Sequence, residues 1–469
     1  MAGSVQASPG VGITPAPSQV VLASNYITNF DFLDQYLPDT YAEEFERYGN
    51  RSVASFLRLV GSEYPTNSDM IKWSEQGRLH TKYTDCTVTG DDGLATAVFT
   101  VGGGACTFRV NQTVFLSSND SDLSAKAVIS DVTGATFTVE YYEAAGQPTG
   151  FDAASGITAF VYGSEFAKGT AGMVGSLEAE SEIFDNKPII IKDKYEVSGS
   201  DMAQIGWIKV STENGADGFY WFIKSEHETR LRFEDYLEMS MVEGVEAEAT
   251  SGAAAFLQTA AGTSVADASG TQGMIDTIET RGNVWDGGNP DTLSEWDTMI
   301  DRLDKQGSIR ENVLFLNRGF SNDMNDMIAS QNSYGAGGTS YGLFNNSEDM
   351  AINLGFDGFK RGYEFYKTDW KYLNDATLRG GLVGGALNGV LVPAGSMTIY
   401  DQVLGQNAKR PFLHVRYRAS EHTDRRFKTW VTGGAGDSQT NDIDKMEVNY
   451  LSERALCTMG ANNFFVFKG

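Results

Sequence analysis

The chain is poor in the residues that catalysis and covalent cross-bracing depend on. Four histidines occur among 469 residues, scattered along the sequence. The three cysteines, Cys86, Cys106 and Cys457, are odd in number and form no CxxC pair. That pattern points to free thiols in a reducing compartment, not to a disulfide framework. No run of 18 apolar residues is present, so no transmembrane helix is expected. The opening residues MAGSVQASPGVGITPAPS lack a charged segment followed by an apolar one, and do not read as a signal peptide. Positive charge is short: 36 Lys and Arg stand against 62 Asp and Glu, a net charge of −26. This balance argues against a dedicated nucleic-acid binder. It favours solubility and mutual repulsion of free copies.

Motifs that carry chemistry are missing as well. AKGT at Ala167 has its Lys and Gly in the wrong order for a P-loop, and no GxGxxG occurs. The glycines of RGGLVGGALNG, Arg379 to Gly389, are spaced wrongly for a dinucleotide loop. HExxH and an EF-hand loop are absent. His227 lies between Glu226 and Glu228 in a helical pattern, where a salt-bridged surface helix outweighs a metal site. GDDG and SSNDSD read as plain turns, with loose Ca²⁺ binding the lesser alternative. No catalytic residue, metal or cofactor is assigned.

What is present is organised around Gly206 to Glu246. A strand-like run, Ile205 to Val210, is followed by a loop at Ser211 to Gly215. Neither Pro nor Gly occurs between Phe219 and Glu243, which predicts one helix of about 26 residues, roughly 40 Å long. An ordinary globular helix has only about 11–12 residues. Asp217 stands where an N-cap belongs, and Gly244 where the helix can stop. The start is aromatic (Phe219 to Phe222), and Phe233, Tyr236, Leu237, Met241 and Val245 make a stripe at the end. Seven polar residues, Lys224 to Arg230, separate the two. Two readings stand: a surface helix with a solvated centre, or a spine across a flat subunit that meets neighbours. On the second, Lys224, Glu226, Glu228, Arg230 and Arg232 are candidates for contacts between subunits.

The remainder divides in order. Residues 1–30 read as a flexible arm. Residues 31–85 hold two short helices and an exposed extended stretch. Thr40 and Glu43 form a capping box for the first helix, and Val53, Phe56, Leu57 and Val60 share a face of the second. Residues 86–163 read as a small inserted all-β, barrel-like domain. Its predicted strands are Ala95–Val101, Thr107–Val110, Thr113–Leu116, Ala125–Val132, Thr136–Tyr142 and Ile157–Tyr162. Residues 164–200 return, with Ile189 to Val197 expected to pair with the polar strand before the insertion. Residues 201–251 carry the long helix, and Glu246 to Gly273 reads as a loop. Residues 252–408 form an α+β domain: Thr292 and Glu295 cap a helix bearing Leu293, Trp296, Ile300 and Leu303, and Val313 to Leu316 is a buried strand. Residues 409–469 are strands packing back onto the long helix. One strip is basic: Lys409, Arg410, Arg416, Arg418, Arg425, Arg426 and Lys428, with Phe412, Tyr417 and Phe427 interleaved. Salt bridges between subunits are weighed above contact with a phosphate backbone.

The phrases DFLDQYLPDTYAEEFERYG, YGSEFAKGT, KPIIIKDKYEVSGSDMAQIGW and WFIKSEHETRLRFEDYLE resemble the major capsid proteins of crAss-like tailed bacteriophages. The order arm, hairpin, long helix, α+β domain and returning strands resembles the Hong Kong 97-type capsid fold. The resemblance implies an α+β subunit with an N-arm, an E-loop, a P-domain on a spine helix and an A-domain, plus the inserted domain. It implies a structural protein, not an enzyme, that assembles as hexamers and pentamers into an icosahedral shell around double-stranded DNA. Expected partners are further copies of the chain, portal and auxiliary or decoration proteins, and packaged DNA held non-specifically, with no membrane. Assembly in the bacterial host cytoplasm and residence in the virion follow. The alternatives are another virion structural protein with a β-barrel module, or a hydrolase with a β accessory domain.

Overall fold

The computed structural model describes residues 56–57, 62–90, 93–151, 156–204, 210–211, 217–218, 221–248, 250–261, 270–307, 309–331, 358–401, 406–435 and 439–469. The expected N-terminal arm, the helix capped at Thr40 and most of the strand-like run from Ile205 lie outside them.

Strands β1 (Ser62–Thr66) and β2 (Ile71–Gln76) come first, then β3 (Lys82–Thr89), β4 (Thr96–Thr100), β5 (Gln112–Ser118), β6 (Ser124–Thr133), β7 (Thr136–Tyr141) and β8 (Ile157–Ser164). Next come β9 (Ser181–Asn186), β10 (Ile189–Ser198), helix α1 (Gly199–Met202), the two-residue strands β11 (Val210–Ser211) and β12 (Asp217–Gly218), and the long helix α2 (Trp221–Glu243). The α+β stretch holds α3 (Gly252–Ala261), α4 (Met274–Arg281), β13 (Asn283–Trp285), α5 (Leu293–Gln306), β14 (Glu311–Leu316), α6 (Arg318–Gln331), β15 (Gly358–Arg361), β16 (Tyr363–Asp369), α7 (Lys371–Asn374) and β17 (Leu387–Pro393). It closes with β18 (Ser396–Asp401), β19 (Gln406–Pro411), β20 (Leu413–Ser420), β21 (Thr423–Asp424), β22 (Lys428–Gly433), β23 (Lys445–Thr458) and β24 (Phe465–Lys468). Two compact units result. Residues 192–236 and 427–451 belong to one; residues 53–191, 237–426 and 452–469 belong to the other.

In the larger unit, β3-β4-β7-β6-β5-β8 close into a barrel. Its strands alternate: Val114, Leu116, Ala127, Ile129, Phe137, Val139 and Ala159 point inward and are fully buried. Phe99 stacks on Phe137 at 5.3 Å. Thr107–Val110, expected as a strand, is not one. The closed barrel has no edge left to accept it, because Lys82–Thr89 fills that place. The Thr107 amide instead donates to the Tyr83 hydroxyl at 2.8 Å and the Arg109 amide to Gln112 Oε1 at 2.7 Å. Phe108 still packs into the core, edge-on to Phe137.

Below the barrel, β2 pairs antiparallel with β9, from Ile71 opposite Asn186 to Gln76 opposite Ser181. The returning partner is therefore Ser181–Asn186, not Ile189–Val197. Polar composition hid it: β9 reads SEIFDN. Asn186 is buried and anchors the ribbon's base. Its Nδ2 donates to the carbonyls of Leu456 (2.7 Å) and Gln272 (2.8 Å), and its Oδ1 accepts from Thr271 Oγ1 and the Gln272 amide.

The mixed sheet β13-β24-β17-β14-β16-β15 is covered on both faces. Phe315, Val390, Val392 and Val466 enter one core with Phe56, Met241, Ile278 and Trp370. Their alternating neighbours Leu314, Leu316, Leu391, Phe465 and Phe467 enter a second core with Trp296, Met299, Phe320 and Met324. Cover on both sides explains why VLFL and FFVF are continuous apolar runs. Helix α5 starts with the Thr292–Glu295 capping box and ends at Gly307, whose φ of 74° suits a residue without Cβ. Residues Gly252–Ala261, expected as loop, form α3, since alanine is the strongest helix former. β24 was expected to pack back with the other returning strands. It inserts instead between β13 and β17.

The long helix is 23 residues, Trp221–Glu243, somewhat shorter than expected. Asp217, expected as its N-cap, pairs with Ser211 in the β11–β12 hairpin. Gly244 does end it, and a Cβ there would sit 2.6 Å from the carbonyls of Ser240 and Thr271. Phe233, Leu237 and Met241 are buried, whereas Tyr236 and Val245 of the expected stripe are exposed.

Candidate interaction surfaces

In the smaller unit, the helix surface is set by what packs on it. Phe233 meets Phe427 at 5.3 Å and Tyr450 at 5.7 Å. Tyr450 comes from the first half of β23, which pairs with β22 from Lys428 opposite Leu451 to Gly433 opposite Met446. The polar centre of the helix is partly buried from Lys224 to Thr229, and Arg230 is exposed. Glu226 accepts the Tyr450 hydroxyl at 3.3 Å, and burial beside that carboxylate pushes the phenol's pKa up. Lys224 lies 3.9 Å from Glu228. Arg230 pairs with Glu234 at 3.4 Å and covers the Phe427 ring. Arg232 is exposed and makes no ion pair among the described residues. Four of the five helix candidates thus have partners in their own chain. A surface network joins Lys194 to Glu196 (2.8 Å) and Glu447 (3.4 Å), and Lys445 to both acids.

The basic strip does not lie on one open face. Arg410 is 4% exposed, with its guanidinium 4.5 Å from the Tyr64 ring centroid. Arg416, opposite Tyr64 in the parallel β1–β20 pair, is half-buried, and burial pulls its pKa down. Arg418 reaches Asp69 at 2.7 Å, Arg425 reaches Glu453 at 3.0 Å, and Arg426 pairs with Glu63. Arg454, which sequence reasoning did not single out, is 6% exposed and binds the same Glu63 carboxylate at 3.3 Å. Among the strip residues, Lys409 and Lys428 have exposed side chains with no ion pair among the described residues; Lys428 lies over the Trp430 ring at 5.8 Å. The acids come from β1, the turn after it and β23, far from the strip in sequence, which is why composition alone could not assign them.

Cys86, Cys457 and His414 lie in the interior. Burial pushes the Cys86 thiol up to about 11 and the Cys457 thiol up to about 12, so both stay protonated at neutral pH. His414 is buried, donates from Nδ1 to the Pro411 carbonyl at 3.1 Å, and is pulled down to about 4 by desolvation. Among the described residues no group of three or more His, Cys, Asp or Glu is placed to hold a metal ion. No helix there is long and apolar enough to cross a membrane.

One surface on the barrel escaped sequence reasoning. Lys82 on β3 stands opposite Phe160 on β8, Phe160 opposite Phe115 on β5, and Phe115 opposite Lys126 on β6. The Tyr142 amide donates to the Lys126 carbonyl at 3.3 Å, extending the row. Phe160 is 39%, Tyr142 48% and Tyr162 50% exposed. The signal was the alternation in ITAFVYGS, where Ala159 and Val161 face the core and Phe160 and Tyr162 do not.

No protein-family profile matches the sequence, and no curated protein does. Solved structures similar to the chain include one of Microbacterium phage Oxtober96, at 9% identity and a TM-score of 0.40, covering 94% of this chain and 99% of that one. A structure of Mycobacterium phage Ogopogo has 9% identity and a TM-score of 0.40 over 92% and 96%. The capsid of a native GTA particle with C5 symmetry has 9% identity and a TM-score of 0.38 over 95% and 99%.

Proposed function

We propose that the chain is the major capsid protein of a crAss-like tailed bacteriophage with the Hong Kong 97-type fold. One observation carries the reading: the order of elements follows the plan that the sequence phrases resemble. A paired ribbon, β2 with β9, holds a closed barrel between its strands. A 23-residue helix comes next, then a mixed sheet with helices, and then the long strand β23. On this reading residues 1–30 are the arm, 31–85 and 164–200 carry the E-loop, and 86–163 are the insertion. Residues 201–251 and much of 409–469 make the P-domain, and 252–408 make the A-domain. Copies form pentamers and hexamers that close into a shell. An exposed two-stranded ribbon is an edge liability in an isolated subunit and gains cover from a neighbour. Repeated use of a few patches is how closed symmetric assemblies are built. Portal and decoration proteins would bind the finished shell. Packaged DNA would meet local cations such as Lys409 and Lys428, because the net charge of −26 excludes a broad attraction.

The test is the mass of the native assembly, by light scattering, with electron microscopy of the same fraction. Rings of five or six subunits, or closed shells, are expected. Purified virions that lack this chain as an abundant component overturn the proposal.

A further inference from the structure

The barrel segment is short of positive charge. Between Cys86 and Gly163 eight acids stand against Arg109 and Lys126. The row Lys82–Phe160–Phe115–Lys126, with Tyr142 and Tyr162 beside it, is the exception. Phe115 and Phe160 lie 5.4 Å apart, and Lys126 sits 5.9 Å from the Tyr162 ring. The Tyr142 hydroxyl donates to Glu165, which is exposed at the far corner of the patch. The patch therefore has an aromatic centre, cations at the two ends of the row, Lys82 and Lys126, and an anionic corner at Glu165. From Phe160, opposite Lys82, to Glu165 is five residues, roughly 16 Å at ~3.3 Å per residue.

We infer that this patch is an isologous contact between the barrels of two copies of the chain, related by a two-fold axis. The inference rests on the self-assembly reading above and names a surface for it. A two-fold turns the patch end for end over its partner. That brings Lys82 of one copy against Glu165 of the other, with the aromatic side chains stacked in the middle. An interface used twice by the same residues must be complementary to itself, and opposite charges at opposite corners meet that condition. Aromatic side chains are the usual anchors of such contacts. Exposed acids elsewhere on the barrel, Asp120, Asp122, Asp131 and Glu143, disfavour its other faces as contacts between copies, and they also disfavour nucleic acid as the occupant.

The test uses the full chain carrying Cys106→Ser, with Lys82→Cys and Glu165→Cys added. Within one chain the two new thiols are too far apart to join, since a disulfide needs Cα atoms within about 7 Å. After assembly and mild oxidation, a non-reducing gel should show covalent dimers and little higher product, because a two-fold contact places both links in one pair. Monomers from intact assemblies overturn the inference and leave the capsid reading standing. A ladder of trimers and higher species overturns the two-fold geometry. Failure of the unaltered chain to assemble overturns the capsid reading first, and this inference with it. Charge reversal gives a second readout without cysteine: Lys82→Glu or Glu165→Lys alone should weaken association, and the two together should restore it. Circular dichroism and melting of the free subunit should be unchanged by each substitution.

Discussion

Protonation of His414 works directly against the fold. It lies on β20, edge-on to Tyr64 at 5.7 Å, and is 1% exposed. Its folded pKa of about 4 is below the ordinary 6.5, so in the interval between them the unfolded chain binds a proton that the folded chain refuses. Stability from this group is therefore full above pH 6.5 and lost as pH falls toward 4. Between pH 7 and pH 5 the loss is about 2 kcal/mol by linkage. Urea unfolding at the two pH values should show it, and His414→Gln should flatten the difference. Glu63 offers a contrast that needs no titration. It holds Arg454, which is nearly buried, as well as Arg426. Glu63→Ala leaves a buried guanidinium without its carboxylate and should cost about 3 kcal/mol. Lys445→Ala, in the exposed network with Glu196 and Glu447, should leave the melting temperature nearly where it was.

Among the elements, the long helix depends most on one aromatic contact in the smaller unit. Phe233 is fully buried between Phe427 and Tyr450. Phe233→Ala should lose about 3–5 kcal/mol in denaturant unfolding. Tyr236→Ala, three residues on and exposed, should lose far less. The difference was only half legible in the sequence, since both residues belong to one apolar stripe. Local signals read well: the Thr292–Glu295 box, Gly307 and Gly244 are set by backbone chemistry within a few residues. Long-range pairings did not. β9 carries charges on an exposed ribbon, and nothing in SEIFDN says that its partner is IKWSEQ. Thr107–Val110 has strand composition, but barrel closure leaves it no place. The basic strip was legible as charge and illegible as structure, because Glu63, Asp69 and Glu453 reach it from distant segments.

For the molecule as a whole, 26 excess negative charges set the terms of association. At 0.01 M salt the screening length is about 30 Å, and at 0.15 M about 8 Å, so repulsion between copies fades across that range. Light scattering should find the assembled fraction rising with sodium chloride over this interval. A fraction that falls instead would mean that attractive ion pairs, not apolar contacts, hold the copies together.

The seat of β24 between β13 and β17 bears on how the chain is made. β13 ends at Trp285 and its partner begins at Phe465, 180 residues later by subtraction. At about 5–20 residues per second, a ribosome takes roughly 9–36 s to supply the missing strand. Through that interval β13 and β17 emerge with open edges on a growing chain, next to apolar faces meant for two cores. Newly made copies on one polysome are then most exposed to each other before any of them is complete, which is when a holding chaperone would matter most.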